Sequence, residues 1–73
     1  MNKKLAQMVL AVQRDITANK AEYSHSLETV SALIVEYWHR TPRADECHEL
    51  VADWRLLSNY AAAVALASWL LAQ

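Results

Sequence analysis

The chain has 73 residues, of which 55% are hydrophobic and 21% are charged, and its formal net charge is -1 at pH 7. This composition excludes a disordered tail, and the nearly balanced charge gives no electrostatic drive toward nucleic acid or an anionic membrane. The length fits a single helical hairpin domain over residues 1–73, which would be marginally stable alone. The one cysteine cannot form an intrachain disulfide, so we expect a reducing compartment, the cytoplasm.

The chain contains no glycine and only one proline, Pro42. Glycine supplies the positive φ angles of tight turns and helix ends, and proline favours the first position of a helix. A chain with almost none of either has few places to turn. We therefore predict an all-α protein with two long helices and one turn at Thr41–Pro42.

The first predicted helix covers residues 3–40. At about 100° per residue its apolar side chains form one stripe, whose phase is kept over the whole length. The stripe consists of Leu5, Val9, Val12, Ile16, Tyr23, Leu27, Val30 and Ile34. The alternative is a break at Asn19, because Asn19 and Glu22 have the spacing of a capping box. The preserved phase favours one continuous helix.

The second predicted helix covers residues 42–72. Thr41 can cap it, Pro42 suits its first position, and Asp45 and Glu46 suit the positive end of the helix dipole. Because the connection is short, we expect the two helices to pair as an antiparallel hairpin.

From Leu56 onward the second helix is apolar on two faces. One face continues the stripe of Trp54 through Leu57 and Ala61, and we expect it to pack on the first helix. A helix that is apolar all round must be buried all round, and the single stripe of residues 3–40 cannot cover both faces. We therefore predict that two hairpins form a homodimeric four-helix bundle. The predicted self-association residues are Leu56, Tyr60, Ala63, Leu66, Ala67 and Leu70.

A membrane partner is not expected, because polar residues interrupt the apolar segment and a span needs about 20 predominantly apolar residues. An enzyme is not expected either. Without glycine the chain has no phosphate-binding loop or dinucleotide fingerprint, and helix faces offer few free backbone N–H groups for an oxyanion hole.

Two residues have the spacing of metal ligands. Glu36 and His39 form a Glu-x-x-His pair, which recurs in di-iron sites of four-helix bundles. The pair lies beside the predicted turn rather than in the middle of a bundle, and Glu36 has Arg40 as a partner one helical turn away. We expect no metal and no other cofactor, and Glu36 and His39 are only weak candidate ligands.

Charged residues concentrate around the turn, beside Tyr37 and Trp38, which is typical of a polar interface around an aromatic anchor. The predicted partner-binding residues are His39, Arg40, Arg43, Glu46, Glu49 and Asp53. The sequence thus favours a non-catalytic regulator, inhibitor or adaptor that binds another protein, of the kind found among bacterial or phage accessory proteins. Two alternatives stay open: a nucleic-acid-binding bundle that uses Arg40 and Arg43, and a metal-binding four-helix bundle.

Overall fold

The computed structural model describes residues 1–19 and 23–73, with the backbone alone at residues 23 and 24. Within this part of the chain there are four helices and no strand, so the all-helical prediction is confirmed. The helices are α1 (Asn2–Thr17), α2 (Tyr23–Trp38), α3 (Ala44–Leu57) and α4 (Tyr60–Ala72). None of them has the length and apolarity that crossing a membrane requires.

The first predicted helix ends early because the backbone leaves the right-handed helical conformation at Asn19. Its φ angle is 56°, a left-handed value that asparagine adopts more readily than most residues. The amide of Asn19 still bonds to the carbonyl of Ile16 at 2.9 Å, which closes the last turn of α1. The prediction of one continuous helix over 3–40 is therefore wrong. The alternative capping box needs Glu22, which lies outside the described residues.

The second predicted helix divides at Ser58 and Asn59. Ser58 has a φ angle of 48°, and its amide bonds to the carbonyl of Trp54 at 2.7 Å, which ends α3. Asn59 is the N-cap of α4, and its side-chain oxygen accepts a hydrogen bond of 2.8 Å from the amide of Ala62. The prediction of one helix over 42–72 is wrong, because Ser58 adopts the left-handed conformation of the corner without the help of glycine.

The turn at Thr41–Pro42 is confirmed, although α3 begins two residues later than predicted. The Thr41 hydroxyl donates to the carbonyl of Trp38 at 2.9 Å, so it closes the end of α2 instead of capping α3. The N-cap residue of α3 is Arg43, whose side chain makes no capping hydrogen bond.

Each helix packs against two others, because α1 and α3 both contact α2 and α4. Arg55 near the end of α3 meets Glu28 near the start of α2. Tyr60 at the start of α4 lines one groove with Thr17 at the end of α1. The start of α1 and the end of α2 line another groove. In each of these three pairs the start of one helix therefore lies beside the end of the other, and a single chain makes a four-helix arrangement of 35 × 20 × 19 Å.

All four helices contribute to one apolar core. The predicted stripe of the first 40 residues is confirmed, because its members lie in this core. Ile16 is only partly buried at the edge of the core, and the side chain of Tyr23 lies outside the described residues. The fully buried large side chains are Trp54, Ile34, Leu66, Leu70, Val9, Val51 and Cys47.

Four of the six predicted self-association residues lie inside this core. They are Ala63, Leu66, Ala67 and Leu70, and each is at most 3% exposed. The corner at Ser58 folds α4 back against α3, and α1 packs on α4 as well, so one chain covers the face that we expected a second copy to cover. Leu56 and Tyr60 are exposed, and self-association through these two residues stays a prediction.

Candidate protein-binding surfaces

The predicted partner-binding residues are all exposed, on the α2–α3 connection and on α3. They are His39, Arg40, Arg43, Glu46, Glu49 and Asp53. Arg43 donates to a carboxylate oxygen of Glu46 at 3.0 Å, and both side chains are about half exposed. Such a surface pair is worth only about 0–1 kcal/mol. It nevertheless gives a carboxylate partner to one of the two arginines that the nucleic-acid alternative requires.

The side chains of Glu36 and His39, the two weak metal-ligand candidates, have different surroundings. His39 Nδ1 donates a hydrogen bond to the backbone carbonyl of Glu36, which turns the imidazole back onto the end of α2. The side chain of Glu36 lines a groove on the α1 side of that helix. Over residues 1–19 and 23–73, no group of three or more His, Cys, Asp or Glu side chains could hold a metal ion.

The outer face of α3, which we define as Asp45, Glu49, Asp53 and Leu56, combines negative charge with an exposed apolar side chain. The carboxylates recur every four residues, and Leu56 follows on the same side of the helix. Leu56 is 82% exposed. None of the three carboxylates forms an ion pair within the described residues. Their charge is therefore available to a partner.

More apolar side chains surround the corner between α3 and α4. Leu57 and Tyr60 are 56% and 70% exposed, and Leu10 of α1 lines the same shallow groove as Tyr60. We call Leu10, Leu56, Leu57 and Tyr60 the corner patch. The sequence prediction included Leu56 and Tyr60, but it placed Leu57 in the core stripe and overlooked Leu10. The polar pair Ser58–Asn59 was the signal that a corner exposes Leu57.

A second exposed apolar surface is a groove of about 510 Å³ between the start of α1 and the end of α2. We call it the α1–α2 groove. Its lining residues are Met1, Lys4, Leu5, Met8, Leu33, Glu36 and Tyr37. Leu33 and Tyr37 stand one helical turn apart on α2 and are about half exposed. The sequence prediction named Tyr37 as an anchor, but it missed Leu33, which lies off the core stripe.

Cys47 is buried in the core near the start of α3. Burial raises the pKa of its thiol from 9.0 to about 11, because removal from water disfavours the charged thiolate. The thiol is therefore neutral at physiological pH, and Cys47 behaves as a small apolar side chain.

We expect the ionisation of Cys47 to leave the free energy of unfolding unchanged well below pH 9 and to lower it as the pH rises from 9 to 11. In that window the unfolded chain releases the thiol proton while the folded chain keeps it, so rising pH favours unfolding. Urea unfolding at pH 7, 9 and 10.5 measures the effect, and Cys47→Ala is the control that should flatten this part of the profile. Rapid labelling of the native thiol by a disulfide reagent at pH 8 would contradict its burial.

No protein-family model matches this chain, and comparisons with curated proteins and with solved structures give no match. Function therefore has to be inferred from the surfaces described above.

Proposed function

We propose that this chain is a non-catalytic regulator, inhibitor or adaptor that acts by binding another protein. The observation that supports this function best is the exposure of Leu56 beside the other members of the corner patch. A single exposed leucine is common on protein surfaces. Three large apolar side chains within five residues of one corner, Leu56, Leu57 and Tyr60, are more typical of an interaction site, especially beside charged groups.

Burial by a partner would convert this exposure into binding free energy. A leucine side chain that moves from water to an apolar environment contributes about 1.5–3 kcal/mol. Tyr60 adds a large ring with a hydroxyl group that can stay hydrated or pair at the edge of an interface. The corner patch thus has the composition of a binding centre: an apolar middle with an amphipathic aromatic side chain beside it.

The carboxylates of the outer face of α3 favour a partner with basic residues next to an apolar anchor. Asp45, Glu49 and Asp53 lead along the helix to Leu56, so a partner that buries Leu56 also meets this row of negative charge. Opposite charges raise the rate of encounter and disfavour wrong partners. Of the partner-binding residues predicted from the sequence, Glu49 and Asp53 belong to this surface, whereas Arg40 and Arg43 do not. The same carboxylates repel phosphate groups, so we do not propose nucleic acid as the target.

A cytoplasmic location is part of the proposal, because the thiol of Cys47 is free and buried without a disulfide partner. The origin among bacterial or phage accessory proteins stays a prediction from size and composition.

The test is affinity capture with the full chain from a lysate of its own organism, quantified by mass spectrometry. Leu56→Asp should reduce the yield of the bound protein by at least about tenfold, because it places a carboxylate in an apolar contact. Leu71→Asp is the matched control, since Leu71 is also exposed but lies at the far end of α4. Both variants should keep the wild-type melting temperature, since exposed substitutions usually change stability within about 0.5 kcal/mol.

If the yield of every captured protein changes equally with Leu56→Asp and Leu71→Asp, the proposed surface is wrong. A partner that is lost with Leu56→Asp should also bind less tightly to Asp53→Lys and at raised salt, because screening weakens the attraction between exposed charges. If neither change weakens binding, the partner does not place basic residues against the outer face of α3.

A further inference from the structure

The α1–α2 groove carries one charge of each sign, one on each wall. Lys4 stands on α1 and Glu36 on α2, and both line the groove while their side chains stay exposed. Within the part of the chain that the structure describes, no ion pair joins Lys4 to Glu36. The apolar surface between them includes the two methionines of the chain, Met1 and Met8.

We propose that the α1–α2 groove binds the α1–α2 groove of a second copy of this chain. This dimer does not depend on the proposed function, because the corner patch lies at the opposite ends of α1 and α2 and stays accessible. The charges decide the choice of occupant. A partner surface with charge of one sign would attract Lys4 or Glu36 and repel the other. A second copy presents both signs in complementary positions.

Symmetry places these charges against each other. A twofold axis parallel to the groove sets α1 of each copy opposite α2 of the other, so each contact is made twice. Lys4 of one copy then faces Glu36 of the second copy, and the reciprocal pair forms at the other edge of the interface. Leu33 and Tyr37 of each copy then pack against α1 of the other copy and are removed from water. The flexible methionine side chains can fill the remaining space.

Charge reversal provides a sharp test, read by sedimentation equilibrium at micromolar concentration and low ionic strength. The wild-type chain should sediment with about twice its mass of 8.3 kDa. Lys4→Glu alone gives a chain with two acidic groove residues, and Glu36→Lys alone gives a chain with two basic ones. Each variant should dimerise about tenfold less tightly, because two attractive pairs become repulsive.

An equimolar mixture of the two variants should restore dimers, since an acidic groove then faces a basic groove. The double variant Lys4→Glu with Glu36→Lys should also dimerise like the wild type. A role of either residue in folding alone would not produce this rescue by mixing. A wild-type chain that stays monomeric, single variants that dimerise unchanged, or a mixture that fails to recover would each overturn the proposal.

Apolar substitutions separate this interface from the corner patch. Leu33→Asp should abolish the dimer, whereas Leu56→Asp should leave it intact, and circular dichroism should show the same helical content for both. If Leu56→Asp instead dissociates the dimer and Leu33→Asp does not, the corner patch is the dimer interface and the groove proposal fails.

Discussion

Leu66→Asp should unfold the chain, whereas Leu56→Asp should leave its helical content unchanged. Leu66 is completely buried in α4, and Leu56 is 82% exposed at the end of α3. A carboxylate at position 66 has to be buried without a partner, protonated, or brought to water by opening the core, and each route costs several kcal/mol. The loss of the leucine contacts adds about 2–5 kcal/mol. A small domain has about 5–15 kcal/mol of total stability at most, so the sum removes most or all of it.

Circular dichroism and thermal melting of the two variants measure this difference. The comparison also separates the four-helix monomer from a dimer of two long hairpins, in which both leucines would lie between chains and both variants would dissociate the oligomer. Equal loss of structure in the two variants would contradict the burial described here, and so would a well-folded monomer of Leu66→Asp.

The local periodicity of the sequence was sufficient to predict an all-helical fold and the buried face of the first 40 residues, but not the ends of the helices. The prediction of the stripe from Leu5 to Ile34 needs only the 3.6-residue repeat of a helix. It therefore does not depend on where each helix ends. The turn near Pro42 was predictable because a proline removes a backbone donor and restricts the residue before it.

The break at Asn19 was weighed as an alternative but rejected, because the apolar stripe keeps its phase across it. The break at Ser58–Asn59 was missed because the absence of glycine was treated as an absence of turns. Asn19 and Ser58 both adopt positive φ angles, at a cost of about 1–2 kcal/mol for a residue with a Cβ atom. The core offsets this cost, because the corner lets α4 pack on α1 and α3 at once. Tertiary burial of this kind is not visible in local propensity. Asn59 did carry a local signal, since asparagine is a preferred N-cap residue.

The binding surfaces were only partly predictable for the same physical reason. A corner resets the rotational phase of the helix that follows it. The stripe extrapolated from Trp54 therefore ends in solvent at Ala61, and Leu57, in the last turn of α3 before the corner, is exposed as well. The predicted charged residues were exposed because charge alone keeps a side chain in water. The exposure of Leu56 and Leu33 depends on which helices meet, which the sequence pattern did not indicate.

The polar contact that connects α1 to the corner involves Gln13, which is only 3% exposed. Its Oε1 accepts a hydrogen bond of 3.0 Å from Trp54 Nε1, and its Nε2 donates one of 3.1 Å to the carbonyl of Ser58. Gln13→Leu removes both partners at once and leaves a buried indole N–H and the corner carbonyl unpaired. At about 1–3 kcal/mol for each unsatisfied group, we expect a loss of about 2–6 kcal/mol in the free energy of unfolding.

A double-mutant cycle with Trp54→Phe isolates the contact between the two side chains. Trp54→Phe alone leaves Gln13 Oε1 without its donor, whereas the double variant removes both members of the pair. The double variant should therefore lose less stability than the sum of the single variants, by about 0.5–3 kcal/mol in urea unfolding. Additive losses would mean that the two side chains do not interact. Because Gln13 also holds the Ser58 carbonyl, Gln13→Leu should speed hydrogen exchange at the amides of Ala62 and Ala63, which bond to Asn59 at the start of α4, more than Trp54→Phe does.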